Sequence, residues 1–128
     1  MGLLARALDY FSNVDDDEVL RLHEQSIAIH VRVEGSLSVN VAICEENLAS
    51  AYCSRAERAS DANDLDREVA NLELALPHYR EVVRIYRAIN HVDKADEAAK
   101  CVVEVEEELR QCAIARAAAA TAAAATNG

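Results

Sequence analysis

His23 and His30 lie seven residues apart on a stretch of helical periodicity, with Glu24 and Glu34 beside them. On a helix that spacing is about two turns, or about 10 Å. Imidazoles and carboxylates so placed can hold a metal or pass a proton, but only in a pocket that adds a second polar group. We read His23 instead as filling a gap between helices in place of an aromatic ring. The four cysteines, Cys44, Cys53, Cys101 and Cys112, form no C-x-x-C pair and have no histidine nearby in a ligand pattern. Such spacing argues for buried, reduced thiols rather than a zinc site. The serines and thiols lack a paired base, and there is no glycine-rich phosphate loop. The sequence therefore predicts no catalytic residue, no metal and no cofactor.

Arg80, Arg84 and Arg87 recur at steps of four and three, on one face of a helix. Such a stripe can recruit an acidic peptide or pair with carboxylates, here Glu81 on its own helix or Glu104, Glu106, Glu107 and Glu108 on the next. An exposed pair of this kind contributes under about 1 kcal/mol. We expect the pairing, and keep Arg84 as a contact for an acidic ligand. The run Asp15-Asp16-Asp17-Glu18 reads as a solvated helix start.

Helices must position these groups. One proline and three glycines in 128 residues leave few interruptions. Leu3, Leu4, Ala7, Leu8 and Phe11 predict a short amphipathic helix over about 3–12. Asp15 can cap a second helix, with acidic residues in its first turn. Its apolar row is Val19, Leu22, Ser26, Ile27, Ile29 and Val33, and it should end near Glu34-Gly35. Ser36 or Ser38 caps a third helix, running through Val41, Ile43, Cys44, Leu48, Ala51 and Tyr52 to about Ala59. Ser60–Asp64 reads as a loop, and Asp64 as the cap of a fourth helix bearing Leu65, Val69, Leu72, Leu76, Tyr79, Val82, Val83, Tyr86 and Ile89. Pro77 within it predicts a kink, or a break with a new helix beginning there. Asn90-His91 ends that helix, and Asp93 caps a fifth bearing Ala95, Ala98, Cys101, Val102, Val105, Leu109 and Cys112. Residues 1–112 thus form one helical domain. Beyond them, at 113–128, alanine favours helix but offers no large group to anchor it, so a frayed extension or disordered tail is expected.

Composition narrows the function classes. The formal net charge of −10 disfavours binding to nucleic acid, where phosphate neutralisation dominates affinity, and docking on anionic lipid. No stretch approaches the roughly 18 apolar residues of a membrane span. Arg6 stands where a myristoylation signal needs Ser or Thr, and Asp9 interrupts a secretory apolar run too early. A cytoplasmic protein is expected. Aromatics make up only 4% of the chain, so the core must be built from small and aliphatic side chains.

A partial repeat runs through this pattern. Tyr10 and Tyr52 lie 42 residues apart, each three residues after an alanine, Ala7 and Ala49. Val19, His23 and Ser26 recur downstream as Ala75, Tyr79 and Val82, with the same steps of four and three but displaced by an insertion around residues 55–68. Periods in this range signal stacked units, each too small to bury its own apolar face. With Asn47-Leu48-Ala49-Ser50-Ala51-Tyr52 and Ser26-Ile27-Ala28-Ile29 followed by Glu34-Gly35-Ser36, the chain over about residues 3–112 resembles tetratricopeptide repeats of the kinesin-light-chain type. Arg6 where leucine is usual, His23 in place of an aromatic, and the insertion depart from that pattern.

The resemblance implies an all-α fold of antiparallel helix hairpins, stacked as a short right-handed superhelix. It implies a non-catalytic module that binds a peptide or partner protein in a concave groove lined by the first helix of each pair. Asn47 matches the asparagine that contacts an extended peptide's backbone. Ile43, Ser50 and Ser54 lie along the same face, with Lys100, Glu104 and Glu107 on the fifth helix. Two repeats and one helix make a short array where about three are usual. Such an array fits a piece of a longer protein, a self-associating subunit or a component of a larger assembly. The alternative is a structural helical bundle without a groove.

Overall fold

A computed structural model of the chain describes residues 16–127. They form four helices: α1 (Asp16–Glu34), α2 (Val39–Asp61), α3 (Leu65–Ala88) and α4 (Val92–Asn127). No strand is present among the described residues. The helix expected over 3–12 and the Asp15 cap lie outside them.

Short polar turns set the helix ends. Gly35 takes φ +86°, and its N–H donates to the Val31 carbonyl at 2.9 Å, closing α1. The Ser38 hydroxyl accepts from the Val41 N–H at 3.1 Å and starts α2. Asn63 and Asn90 have φ of 58° and 62° and do at the ends of α2 and α3 what glycine usually does. At each end the next residue's N–H reaches back five positions, Asp64 to Ala59 and His91 to Tyr86, both at 2.8 Å. The Asp64 carboxylate then accepts from the Arg67 N–H at 3.2 Å and starts α3. Such caps are worth about 1 kcal/mol each.

Three expectations need correction here. The loop read as Ser60–Asp64 is shorter, because Ser60 and Asp61 complete the last turn of α2. Asp93 is not a cap: the turn at Asn90 brings the His91 carbonyl to the Ala95 N–H at 3.0 Å, so α4 begins at Val92 with Asp93 in its first turn. Pro77 neither ends α3 nor begins a new helix. Its missing N–H orphans the Glu73 carbonyl, but Glu73 and Pro77 are both exposed, so water can take the bond.

Successive helices run antiparallel. Along the first pair Asp17 meets Arg55, Ser26 meets Cys44 and Glu34 meets Asn40. Between α3 and α4, Asp66 meets Arg116 and Arg80 meets Glu106. The core divides into two clusters stacked along the helix axes. One joins Leu20, Leu48, Ala49, Tyr52, Leu72, Ala75, Tyr79, Val105 and Cys112. The other joins Val41, Ala42, Val82, Ile85, Tyr86, Ala95 and Ala98. Fully buried Ala42, Ala49 and Ala75 let helix backbones approach closely, which compensates for the scarcity of aromatics.

Tyr79 belongs to the first cluster and Val82, one turn further along α3, to the second. The row expected on α1 also differs. Val19, Leu20 and His23 are buried, whereas Leu22, Ile29 and Val33 are 37%, 54% and 75% exposed. Among the described residues α1 packs chiefly on α2, and one such partner covers only one stripe of a helix. At the other end α4 continues as helix to Asn127, with the side chains of 113–126 exposed. No helix among the described residues is long and apolar enough to cross a membrane.

Candidate functional site

A cleft of about 510 Å³ opens between α2 and α4, across the body of α3. Cys53 and Glu57 line it from α2, Cys101, Glu104 and Glu108 from α4, and Glu68 enters from the first turn of α3. Tyr79 forms the floor. Its ring belongs to the first core cluster, and its hydroxyl shares a 3.3 Å hydrogen bond with the Ser50 hydroxyl. Four carboxylates thus line the cleft, and no lysine, arginine or histidine does.

Crowding of like charge shows in the titration of these groups. Burial holds the Glu108 carboxyl above its usual range, and the neighbouring carboxylates of Glu68, Glu104 and Glu57 push the same way. Burial also raises the Cys53 and Cys101 thiols; Glu104 adds to the effect at both, and Glu108 at Cys53. The Tyr79 hydroxyl is raised too, chiefly by burial. Thiols held above their ordinary values stay protonated near neutral pH and make poor nucleophiles. What the cleft offers chemically is negative potential, not an activated attacking group.

The residues singled out in the sequence divide among different surroundings. Ile43, Asn47, Ser50 and Ser54 fall on one face of α2 by their spacing, and Cys53 and Glu57 continue that face into the cleft. Ile43, Asn47 and Ser54 are half-buried; Ser50 is held by Tyr79. Lys100 is exposed on α4, next in sequence to Cys101. Glu104 lines the cleft, whereas Glu107 turns away to Arg110 and Gln111. Arg84 is elsewhere. It is bonded to Glu81 and lines a separate groove between α3 and α4, with Arg80 and Arg87.

The histidines do not form a site together. His23 is buried, while His30 bonds Glu34 at 2.8 Å near the end of α1. That bond, with one from Asn40, holds the Glu34 carboxyl below its usual range. Sequence reading missed a different pair. His78 Nδ1 lies 2.7 Å from the buried Glu45 carboxylate, and its ring stacks on Tyr52 with centroids 5.9 Å apart. Nothing local signals this pair, because its members are 33 positions apart. Among the described residues no three His, Cys, Asp or Glu side chains are grouped to hold a metal ion. The cysteines are free thiols. Compared with known proteins, the chain matches no family model, no curated protein and no solved structure.

Proposed function

We propose that this chain is a non-catalytic protein-interaction module, its hairpins stacked in the right-handed manner of tetratricopeptide repeats, and that the α2–α4 cleft receives a basic, extended segment of a partner protein. One observation carries the reading: Glu57, Glu68, Glu104 and Glu108 converge on a cleft that no cationic side chain lines. Such a surface concentrates negative potential and steers a cationic ligand towards it. A lysine or arginine entering there relieves the repulsion that adds to the effect of burial on Glu108. The polar row Asn47, Ser50 and Ser54 leads along α2 into the same cleft and supplies donors and acceptors for a peptide backbone. A cytoplasmic setting, with its thiols reduced, goes with this reading.

The test is fluorescence anisotropy with a labelled basic peptide at two salt concentrations. Glu104→Gln with Glu108→Gln should weaken binding at least tenfold at low salt and much less at high salt. Equal binding by the double variant would remove the cleft from the proposal.

A structural subunit without a groove is the second reading, and one observation favours it. The last part of α4, residues 113–126, is helical yet exposed, a shape suited to burial in an assembly. Light scattering of the purified chain separates the two, since self-association abolished by removing 113–128 would support assembly over peptide capture.

A further inference from the structure

The groove on the other flank of α4 has opposite chemistry. It has a volume of about 410 Å³ and is lined by Arg80, Val83, Arg84 and Arg87 of α3 and by Ala99, Val102 and Val103 of α4. No carboxylate lines it, although acidic residues exceed basic ones by ten over the whole chain. The arginines keep donors in reserve. A guanidinium has five N–H donors in a fixed fork. Arg80 donates to Glu106 at 3.1 Å, and Arg84 donates twice to Glu81. Arg87 makes no ion pair among the described residues. The floor is apolar, and its Val103 is 60% exposed; Val92, on the same face of α4, is 65% exposed.

We propose that this groove is a docking site for an acidic amphipathic helix of a partner protein, its apolar stripe on Val83, Val102 and Val103 and its carboxylates on Arg84 and Arg87. A trough between two antiparallel helices is the shape into which a third helix fits. Val92 and Val103 lie about 16 Å apart along α4, at 1.5 Å per residue, a span of about three turns of a bound helix, with Asp96 and Ala99 on the face between them. Arg84 and Arg87 are three residues apart, about 4.5 Å along the axis. Carboxylates at i and i+3 or i+4 on the partner have the same repeat, and each can be gripped through a bidentate fork. Charge complementarity selects the occupant, since an acidic chain gathers three of its thirteen cationic lysines and arginines around one apolar trough.

The probe is a fluorescein-labelled 18-residue peptide with leucines on one helical face and glutamates flanking them. Controls are a scrambled peptide of the same composition, a version with lysine for glutamate, and vesicles of phosphatidylserine and phosphatidylcholine. The amphipathic acidic peptide should bind at least tenfold more tightly than either control peptide. Arg84→Gln with Arg87→Gln should weaken it at least tenfold, as should Val103→Asp. Should either variant unfold, Arg87→Gln alone, at an exposed position with no ion pair, should still weaken it several-fold while the circular dichroism spectrum is unchanged. Equal binding of the scrambled peptide, or binding indifferent to the arginines, overturns the proposal. So does arginine-dependent binding to the vesicles that exceeds binding of the peptide. Because the α2–α4 cleft requires a basic probe, failure here leaves that reading standing, and the reverse holds too.

Discussion

Two sites of opposite charge flank α4, and helical geometry lets this one helix wall both of them. Cys101, Glu104, Val105 and Glu108 face the cleft, while Ala99, Val102 and Val103 face the groove. At 3.6 residues per turn, positions two apart differ by about 200° around the helix, so one helix walls two sites. The sites differ in how they join the fold. The floor of the cleft is Tyr79, a core side chain, and no cation is among the lining residues; burial first, and the neighbouring carboxylates after it, push Glu108 towards its neutral form. The groove lies over the rim of the second cluster, and Arg84 arrives with its own counterion. The bond from Arg84 holds the Glu81 carboxyl below its usual range, and the same bond raises the guanidinium. Charge in the cleft is therefore felt by the fold, and charge in the groove is compensated locally.

The largest expected difference between the two sites is in stability. Tyr79→Ala removes the cleft floor from the first core cluster and should cost about 3–5 kcal/mol, as deletions of buried aromatics do. Arg84→Gln with Arg87→Gln removes only exposed side chains and should leave the denaturation midpoint almost unchanged. Denaturant titration of both variants measures the contrast. A Tyr79→Ala loss under about 1 kcal/mol would mean that the cleft is not rooted in the core.

This contrast also marks what the sequence could reveal. Helix limits set by nearest neighbours were legible: Gly35, Ser38 and Asp64 act within a few residues of themselves, and each ends or starts a helix where its chemistry says it should. Of the kink or break expected at Pro77, the break does not occur, because its penalty depends on whether the orphaned carbonyl meets water, which local sequence does not encode. Val82 was legible as buried but not as a member of the second cluster, because helical spacing identifies a buried face, not the level along that face at which another helix is met. The cleft was the least legible feature. Asn47, Ser50 and Ser54 came from a pattern on one helix, whereas Glu68 and Glu108 reach the same space only because α2 and α4 converge over α3. Sites made by helices that are not neighbours in sequence have no periodicity to read.

A smaller effect tests whether the α2 face belongs to the cleft. The Asn47 amide both donates and accepts, so it can bond a peptide backbone whatever the ligand's sequence. Asn47→Ala should weaken the basic peptide by about 1–3 kcal/mol through unmade hydrogen bonds, and leave the acidic helical probe unaffected. Its stability should barely change, because the side chain is only half-buried. Anisotropy titrations of both probes against this variant decide the matter. Unaltered affinity for the basic peptide would separate the Asn47 row from the cleft.

The smallest expected effect is the most specific to the cleft. A carboxyl whose value is raised by folding stabilises the native state when protonated, and that contribution is lost as pH rises through the raised value. Glu108 is such a group, with burial as the first cause and Glu68, Glu104 and Glu57 adding to it. Glu108→Gln should therefore stabilise the chain slightly at pH 7.5, by under about 0.5 kcal/mol because solvent screens a largely exposed carboxylate. The gain should vanish near pH 4, where the wild-type carboxyl is protonated. Glu81→Gln, at the edge of the groove, should show the opposite sign: its lowered carboxyl stabilises the fold when ionised, so the variant loses stability at pH 7.5 and converges with wild type in acid. Melting curves of the two variants at both pH values provide the comparison. If both shift the same way at pH 7.5, the crowding of carboxylates at the cleft is not felt by the fold, and the physical distinction between the two flanks of α4 disappears.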